Sequence, residues 1–587
     1  MQLKALEHIR TPLLIIGAGL AGCRAAIAAV DAGLRGEDVL ILNEGRFLTS
    51  GSSFYPLARS IGYSASLPDL IPEDSPEVHF QDVMRAGAAT CDHRLVRILT
   101  REAESRLRDL MRFGVSLPLI EAGKQPEGKG LCFNSHRRGD GARMEDLRAA
   151  FSEGLAKRGI RVRDRCFVAS LLGDSGCCRG ALAITHQGQP LVIEAGATIL
   201  ATGGASPIFR HFKDTPELSG DGYMLALRLG ARLVNLEFYQ ITWGIVHPPG
   251  AVLPAEVSLY NNPAMEGKLP RFLNKLGVPF FERYLPPGLS LTDCIDVRLW
   301  HGPFSSQLVS KWFDIGIFTE IKEGRGTPHQ GVWADFRGLV PEPQTRETHD
   351  LVAGHFRPRV VDPWQAPVEM SLFVHAFNGG VRIREHGETS VPNLYACGEV
   401  AGGPHGADRL GGMAFAATQV FGARAGQAAA ERALSQPAPN PDPAQVEQEL
   451  SVIKRRLSPK EGPSVQQVRR RIRDTMWWNA MICQDEAGLA CCLKELDEIA
   501  DRDLPRVGVR ADSDLFRALE LSNLWQTAQI VATLSRERKE TRGPHYRTDY
   551  PEPREAYAGS YAVDLSESSP PGERLAYVTR LVNLTSE

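Results

Sequence analysis

The stretch "HGADRLGG", His405 to Gly412, sets an imidazole, a guanidinium and a glycine pair directly ahead of a small-residue segment with helical character. Arg409 can offer a carboxylate a planar, bidentate cation. Far upstream, Gly17-x-Gly19-x-x-Gly22 follows an apolar run and precedes an alanine-rich one. Between a strand and a helix this spacing builds a dinucleotide site. Gly17 permits the tight turn, Gly19 lets backbone approach a pyrophosphate, and Gly22 lets the helix lie close to the sheet. The helix start then adds unpaired amides and the positive end of its dipole. Glu44 stands 22 residues after Gly22, where an acid can hold ribose hydroxyls, and Asn43 competes for that role. Two later turns carry related signals. Thr202-Gly203-Gly204 ends "ATILATGG" with exposed backbone, and Gly398-Glu399 ends "NLYACGEV" with a carboxylate beside a glycine. The first glycine motif alone leaves FAD and NAD equally open.

These residues need elements to hold them. "TPLLIIGAGLAGCRAAIAAVDAG" reads as a buried strand, a glycine turn and a helix, and "EDVLILNEG" as a second buried strand. The pattern predicts a helix over 141–160, a strand over 190–204 and a helix over 221–231. From about 235 to 355 the chain turns aromatic-rich and is punctuated by proline and glycine, which indicates an inserted domain. "SQPAPNPDPAQ" (435–445) reads as a linker because alternating prolines favour extended backbone. Long helical patterns follow over 444–458, 464–499 and 512–540.

Bulk properties narrow the function classes. The 587 residues carry 67 basic and 70 acidic side chains, with a net charge of -3. That balance lacks the clustered basic excess of a nucleic-acid partner. The first twelve residues show no apolar signal region, and the apolar stretch 12–30 is broken by glycines and Arg24, so no membrane span is expected. The 11 cysteines include adjacent pairs, Cys177–Cys178 and Cys491–Cys492, which do not match metal-ligand spacing. Reduced thiols in a cytoplasmic protein without a bound metal are the expectation.

Taken in order, the later stretches resemble the flavoprotein family of succinate dehydrogenase, fumarate reductase and L-aspartate oxidase. The resemblance rests on "GSSFYPLARSIG" (51–62), "GDGYMLALRLGA" (220–231), "EIKEGRG" (320–326), "HAFNGGV" (375–381), "NLYACGEVAG", "HGADRLGG" and "RKETRGPHYRTDYPEP" (538–553), and it covers most of the chain. It implies an α/β fold: a Rossmann-like FAD-binding domain (1–234 and 356–434) interrupted by a capping domain (235–355). The linker (435–445), a C-terminal helical domain (446–545) and a tail (546–587) would follow. It implies FAD cradled by Gly17, Gly19 and Gly22, with Glu399 on the ribityl chain. Ser52, Ser53, Asp221, His405 and Gly412 would also lie on the flavin side. Amides at the helix start after Arg409 would face the ring edge where negative charge grows on reduction. Members that attach FAD covalently have a histidine in the segment aligned with 51–55; Ser52 stands here, which implies non-covalent FAD.

The same resemblance implies hydride transfer between flavin N5 and a carbon of a small carboxylate. Arg409 and His375 match the family's carboxylate-binding arginine and histidine. Three departures stand against them. Thr242 occupies the place of the family's "FHPTG" histidine, leaving His247 of "HPPG" as a displaced substitute. Ser310 aligns with the proton-shuttling arginine, leaving Lys311 or Arg298 to replace it. The family's flavin-side "QGG" becomes Leu57-Ala58-Arg59. The leading expectation is therefore a carboxylate substrate other than the succinate/fumarate pair. A fumarate reductase or aspartate oxidase with relocated residues is the second, and a flavin protein serving only electron transfer the third. A partner chain would hold any iron–sulfur or other redox centre and provide any peripheral membrane association. "RRRIRDTMWW" (469–478) reads either as a docking face for such a partner or as plain packing, with packing preferred.

Overall fold

The apolar run ahead of Gly17 forms strand Glu7–Ile16, and Leu13, Leu14 and Ile15 are buried because both faces of its sheet are covered. The computed structural model describes residues 3–54, 60–69, 72–117, 142–247, 269–337, 366–458, 461–566 and 574–584. Strand Glu7–Ile16 pairs in parallel with Val39–Asn43 on one side and Pro190–Leu200 on the other. Arg161–Asp164 extends the sheet beyond Val39–Asn43. Strand Pro190–Leu200 changes neighbours along its length. Its first half pairs antiparallel with Cys177–Thr185, and its last residues pair in parallel with Leu394–Ala396. The parallel strand ends therefore bring Gly17, Thr202 and Gly398 to one edge, where open α/β sheets hold ligands.

A second sheet, of four antiparallel strands, stands over that edge in the order Tyr239–His247, Val368–Phe377, Val332–Asp335 and Arg271–Leu273. It draws Val368–Phe377 from beyond residue 355. Helices Leu291–Trp300 and Lys311–Glu320 pack beside it around Trp243, Phe272, Phe281 and Phe313. The "EIKEGRG" stretch is structural: Arg325 clasps Glu320 at 2.8 Å, and Tyr284 and Asn274 both donate to the same carboxylate.

The small-residue segment after Gly412 is helix Met413–Ser435, which lies against helix Leu20–Asp31. A Cβ at Gly426 would stand 2.1 Å from the Ala25 carbonyl oxygen, and one at Gly422 would stand 2.8 Å from that of Ala21. Backbone-to-backbone contact, not helix propensity, demands those glycines.

Helices Pro443–Leu457, Val465–Ala480, Glu486–Glu498 and Leu515–Glu537 form the C-terminal layer. The first begins inside the stretch expected as a linker, with Asp442 capping the Ala444 amide. The single pattern over 464–499 is two helices. It breaks where Cys483 takes φ +57° and Asp485 caps a new helix by accepting from Gly488 N–H at 2.7 Å. Within the segment expected as a tail, Ser560–Leu565 and Tyr577–Val582 form a hairpin that joins Leu233–Val234, Gly380–Arg382 and Ala401–Gly402 in a five-stranded sheet. Trp477 is buried against His211 and Phe318, which supports packing for that part of "RRRIRDTMWW". Among the described residues no helix is long and apolar enough to cross a membrane.

Candidate active site

Gly17 leaves its strand with φ +108°, and a Cβ there would lie 2.3 Å from the Ala201 carbonyl oxygen. Gly19 opens helix Leu20–Asp31 without a side-chain cap of its own. Ser53 Oγ accepts the Leu20 N–H at 3.2 Å, and a Cβ on Gly19 would approach that hydroxyl to 3.1 Å. Gly22 packs the helix onto its own turn, since its Cβ would meet the Gly17 carbonyl oxygen at 2.0 Å. It shapes the cradle from behind.

In front of the cradle lies a cavity of about 600 Å³. One end is walled by Asn43, Glu44 and Asp221, and the middle by Gly17, Gly19, Ser52, Ser53, Thr202 and Gly203. The far end is walled by Glu399, His405, Gly412, His375 and Arg409. Gly204 stands just behind: a Cβ on it would fall 2.2 Å from Glu399 Oε1, so its bareness lets that carboxylate into the wall. Phe377 N–H donates to the same oxygen at 2.8 Å. Ser52 donates to Asp214 at 2.6 Å. Asn43 is partly committed, donating to Asp164 at 3.0 Å, while Glu44 faces Arg517 of the C-terminal layer at 3.6 Å.

Burial sets the electrostatics. It raises Glu399 to about 8, assisted by the Asp214 carboxylate, and Asp214 to about 6. Asp221 rises to about 7 through burial and nearby Glu520, and Glu44 rises for the same two reasons. Burial and Arg409 push His405 down to about 3, and burial, Arg409 and Lys213 hold His375 well below the ordinary imidazole range. A dry cavity of this kind disfavours unbalanced charge of either sign.

The cradle and its orphaned polar atoms fit FAD. Thr202 Oγ1, Asp214 Oδ2 and His405 Nδ1 are buried without a hydrogen-bond partner among the described residues. Gly412, at φ +77°, opens helix Met413–Ser435 toward the cavity.

The far end also gathers cations from four elements. Arg409 comes from the turn before that helix and His375 from strand Val368–Phe377. Arg298 comes from helix Leu291–Trp300 and Lys213 from the segment after Ile208. Arg298 is fully buried and ion-paired through Nη1 to Asp314, while its Nε and Nη2 have no partner among the described residues. Thr242 lines the cavity too, and Lys213 Nζ donates to its hydroxyl at 3.2 Å.

Residues 13–414 match the family model "FAD binding domain", and residues 469–570 match "Fumarate reductase flavoprotein C-term". The flavoprotein-like chain of the CoM/CoB fumarate reductase of Methanothermobacter marburgensis is 35% identical over 95% of this chain and 98% of its own length. This chain belongs to the fumarate reductase flavoprotein family. It is an FAD-dependent oxidoreductase. An uncharacterized FAD-dependent oxidoreductase of Methanocaldococcus jannaschii is 32% identical over 94% of this chain and 96% of its own. Sdh1 of Mycobacterium smegmatis, solved in complex with UQ1, superposes with a TM-score of 0.81 at 26% identity, covering 98% of this chain and 94% of that one.

In this flavoprotein two expected substitutes fall away from the cavity. His247 is exposed at the end of its strand and stacks on His329 at 4.2 Å, because the strand carries it past the cavity that Thr242 reaches. Lys311 starts a helix on the cap and donates to the Ser306 carbonyl at 3.2 Å, outside the cavity wall. Ser310, beside it, is likewise absent from the wall. Leu57, Ala58 and Arg59 lie outside the described residues. Arg298 is brought in. Lys213 is the functional candidate that sequence reasoning missed. Its signal is a lysine in "FRHFKDTPELSGDG", ahead of a matched motif but in none, and only folding places it beside Thr242.

Proposed function

We propose that this flavoprotein reduces, or in reverse forms, the carbon–carbon double bond of a small unsaturated dicarboxylate, with fumarate the first candidate to test. The convergence of Arg409, His375 and Arg298 on one cavity carries this reading. It answers two of the three departures that favoured another substrate. The missing arginine has a counterpart in Arg298, and Thr242 has a basic side chain against it. FAD, when bound, supplies or accepts the hydride. The chain's own residues do the rest. Arg409 grips one carboxylate through its planar fork. His375, neutral in the dry cavity, donates a hydrogen bond to a carboxylate oxygen. Arg298 faces the cavity with two N–H-bearing nitrogens unpartnered among the described residues. It is the candidate to pass the proton to the carbon that does not receive hydride, with Asp314 behind it. The cap sheet and its helices close over the site and exclude water, which strengthens each contact.

Electrons in this reading come from a redox partner, such as an iron–sulfur protein, since the Methanothermobacter relative is named as one subunit of its enzyme. The deciding experiment is anaerobic: reduce the FAD-loaded protein and add fumarate while following the flavin absorption band. Rapid return of the oxidised band is the expected result, and Arg409→Ala should slow it by about 100-fold or more, because a buried charge-assisted contact is lost. A reduced band unmoved by fumarate but reoxidised by another carboxylate would transfer the reading to that acid.

A further inference from the structure

Lys213 stands in the cavity wall in a setting that lysine side chains rarely tolerate. Only 8% of the residue is exposed, and among the described residues no carboxylate pairs with it. Its backbone is fixed by the strand that carries His375: Lys213 N–H donates to the Val374 carbonyl at 3.0 Å, and Val374 N–H to the His211 carbonyl at 3.0 Å. The side chain then crosses close to Gly244, where a Cβ would come within 3.6 Å of Lys213 Cε, and ends on the Thr242 hydroxyl at 3.2 Å. Each element packed around it presents a neutral or basic group: Thr242 from Tyr239–His247, Arg298 from Leu291–Trp300, His375 from Val368–Phe377 and Arg409 from the turn before Met413–Ser435. The adjacent carboxylate, Asp214, is committed to Ser52. Arg298 is balanced by Asp314; Lys213 is balanced by no anion among the described residues.

A buried ammonium without an anion is unfavourable by several kcal/mol or more, so such a group either gives up its proton or waits for a charge to arrive. We propose that Lys213 is a second substrate-carboxylate ligand of this cavity, acting with Thr242, and that it takes up one proton from solvent when a dianion enters. The assignment rests on the dicarboxylate reading above and deepens it. Burial and the Arg298 charge hold its pKa well below that of an ordinary lysine, which favours the neutral amine until an anion is present. An incoming carboxylate reverses that preference, so binding and protonation are linked. The Nζ–Thr242 hydrogen bond survives either way, because an amine and an ammonium both donate.

The test uses the oxidised, FAD-loaded protein, which binds fumarate without turning it over. Fumarate and the monocarboxylate crotonate are titrated while the flavin spectrum reports affinity, and an indicator dye in weak buffer reports protons. The wild type should take up about one proton per fumarate bound in mildly alkaline solution. Lys213→Met, an apolar replacement suited to a buried site, should abolish the uptake and weaken fumarate by about 100-fold while changing crotonate far less. Lys213→Arg should bind fumarate with no uptake, since arginine is already charged. If the methionine variant fails to hold FAD, the arginine variant decides: uptake lost supports the assignment, uptake retained overturns it. Unchanged fumarate affinity and uptake in Lys213→Met overturn it while leaving the dicarboxylate reading intact. A wild-type spectrum that no carboxylate moves overturns both.

Discussion

Glu399 is a carboxyl group that its surroundings keep protonated. Burial and Asp214 raise it to about 8, against the opposing Phe377 amide and Arg409. Between about pH 7 and about pH 8.5 the unfolded chain has this group ionised while the folded, FAD-free protein still binds its proton. The folded state then holds more protons, so stability falls as pH rises. His375 and His405, lowered by burial, are neutral in folded and unfolded chains across most of that window and add little slope. Thermal unfolding of FAD-stripped protein should therefore shift to lower temperature as pH rises through the window, and Glu399→Gln should flatten the dependence. A flat wild-type profile would refute the assignment. Ser52 yields a second residue-level expectation. Its hydroxyl is committed to Asp214, and acid precipitation should release all the flavin into the supernatant. Yellow colour retained in the pellet would overturn non-covalent attachment.

Elements decide how closely these residues can assemble. Helices Leu20–Asp31 and Met413–Ser435 meet backbone to backbone at Gly422 and Gly426, and each carries one edge of the cavity at its N-terminus. Gly426→Ala would drive a methyl into the Ala25 carbonyl, and separating the helices should cost about 1–3 kcal/mol. The expected readout is a lowered unfolding temperature together with weaker FAD retention, because the phosphate turn moves with its helix. Loss of stability with flavin affinity unchanged would uncouple the two. The glycine pair after His375 has a different task. A Cβ at Gly379 would meet Asn235 backbone at 2.2 Å and one at Gly380 the Val400 carbonyl oxygen at 2.3 Å, so this family motif marks strand crossing rather than cofactor contact.

At the scale of the whole molecule the C-terminal layer is tied to both the cavity and the cap. Arg517 reaches Glu44, and Glu520 holds Arg469 and Ser219 behind the nucleotide end. Arg538, from the signature that begins there, is wholly buried between Glu237 and Glu540 and lies over the rings of Phe238 and Tyr561. Arg538→Ala would strand two buried carboxylates and should destabilise the fold by about 3–5 kcal/mol, seen as an early transition in thermal unfolding. An unaltered first transition would show that the layer docks by other contacts.

What could be read from the chain alone was local. Gly17, Gly19 and Gly22 are legible because a tight turn, a close approach and a helix contact each exclude a side chain within a few residues. The FAD motifs were legible because they recur in order, and Arg409 because it sits inside one of them. The tertiary structure alone decided which basic side chains share the cavity. Arg298 and Lys213 belong there, while His247 and Lys311 do not, since strand direction and helix start send those two elsewhere. Spacing along the chain carries no record of that choice: Lys213 and Thr242 are 29 residues apart and meet only because two strands and one bend are packed together. Burial then determines charge, which no sequence motif encodes, because desolvation depends on everything folded around the group.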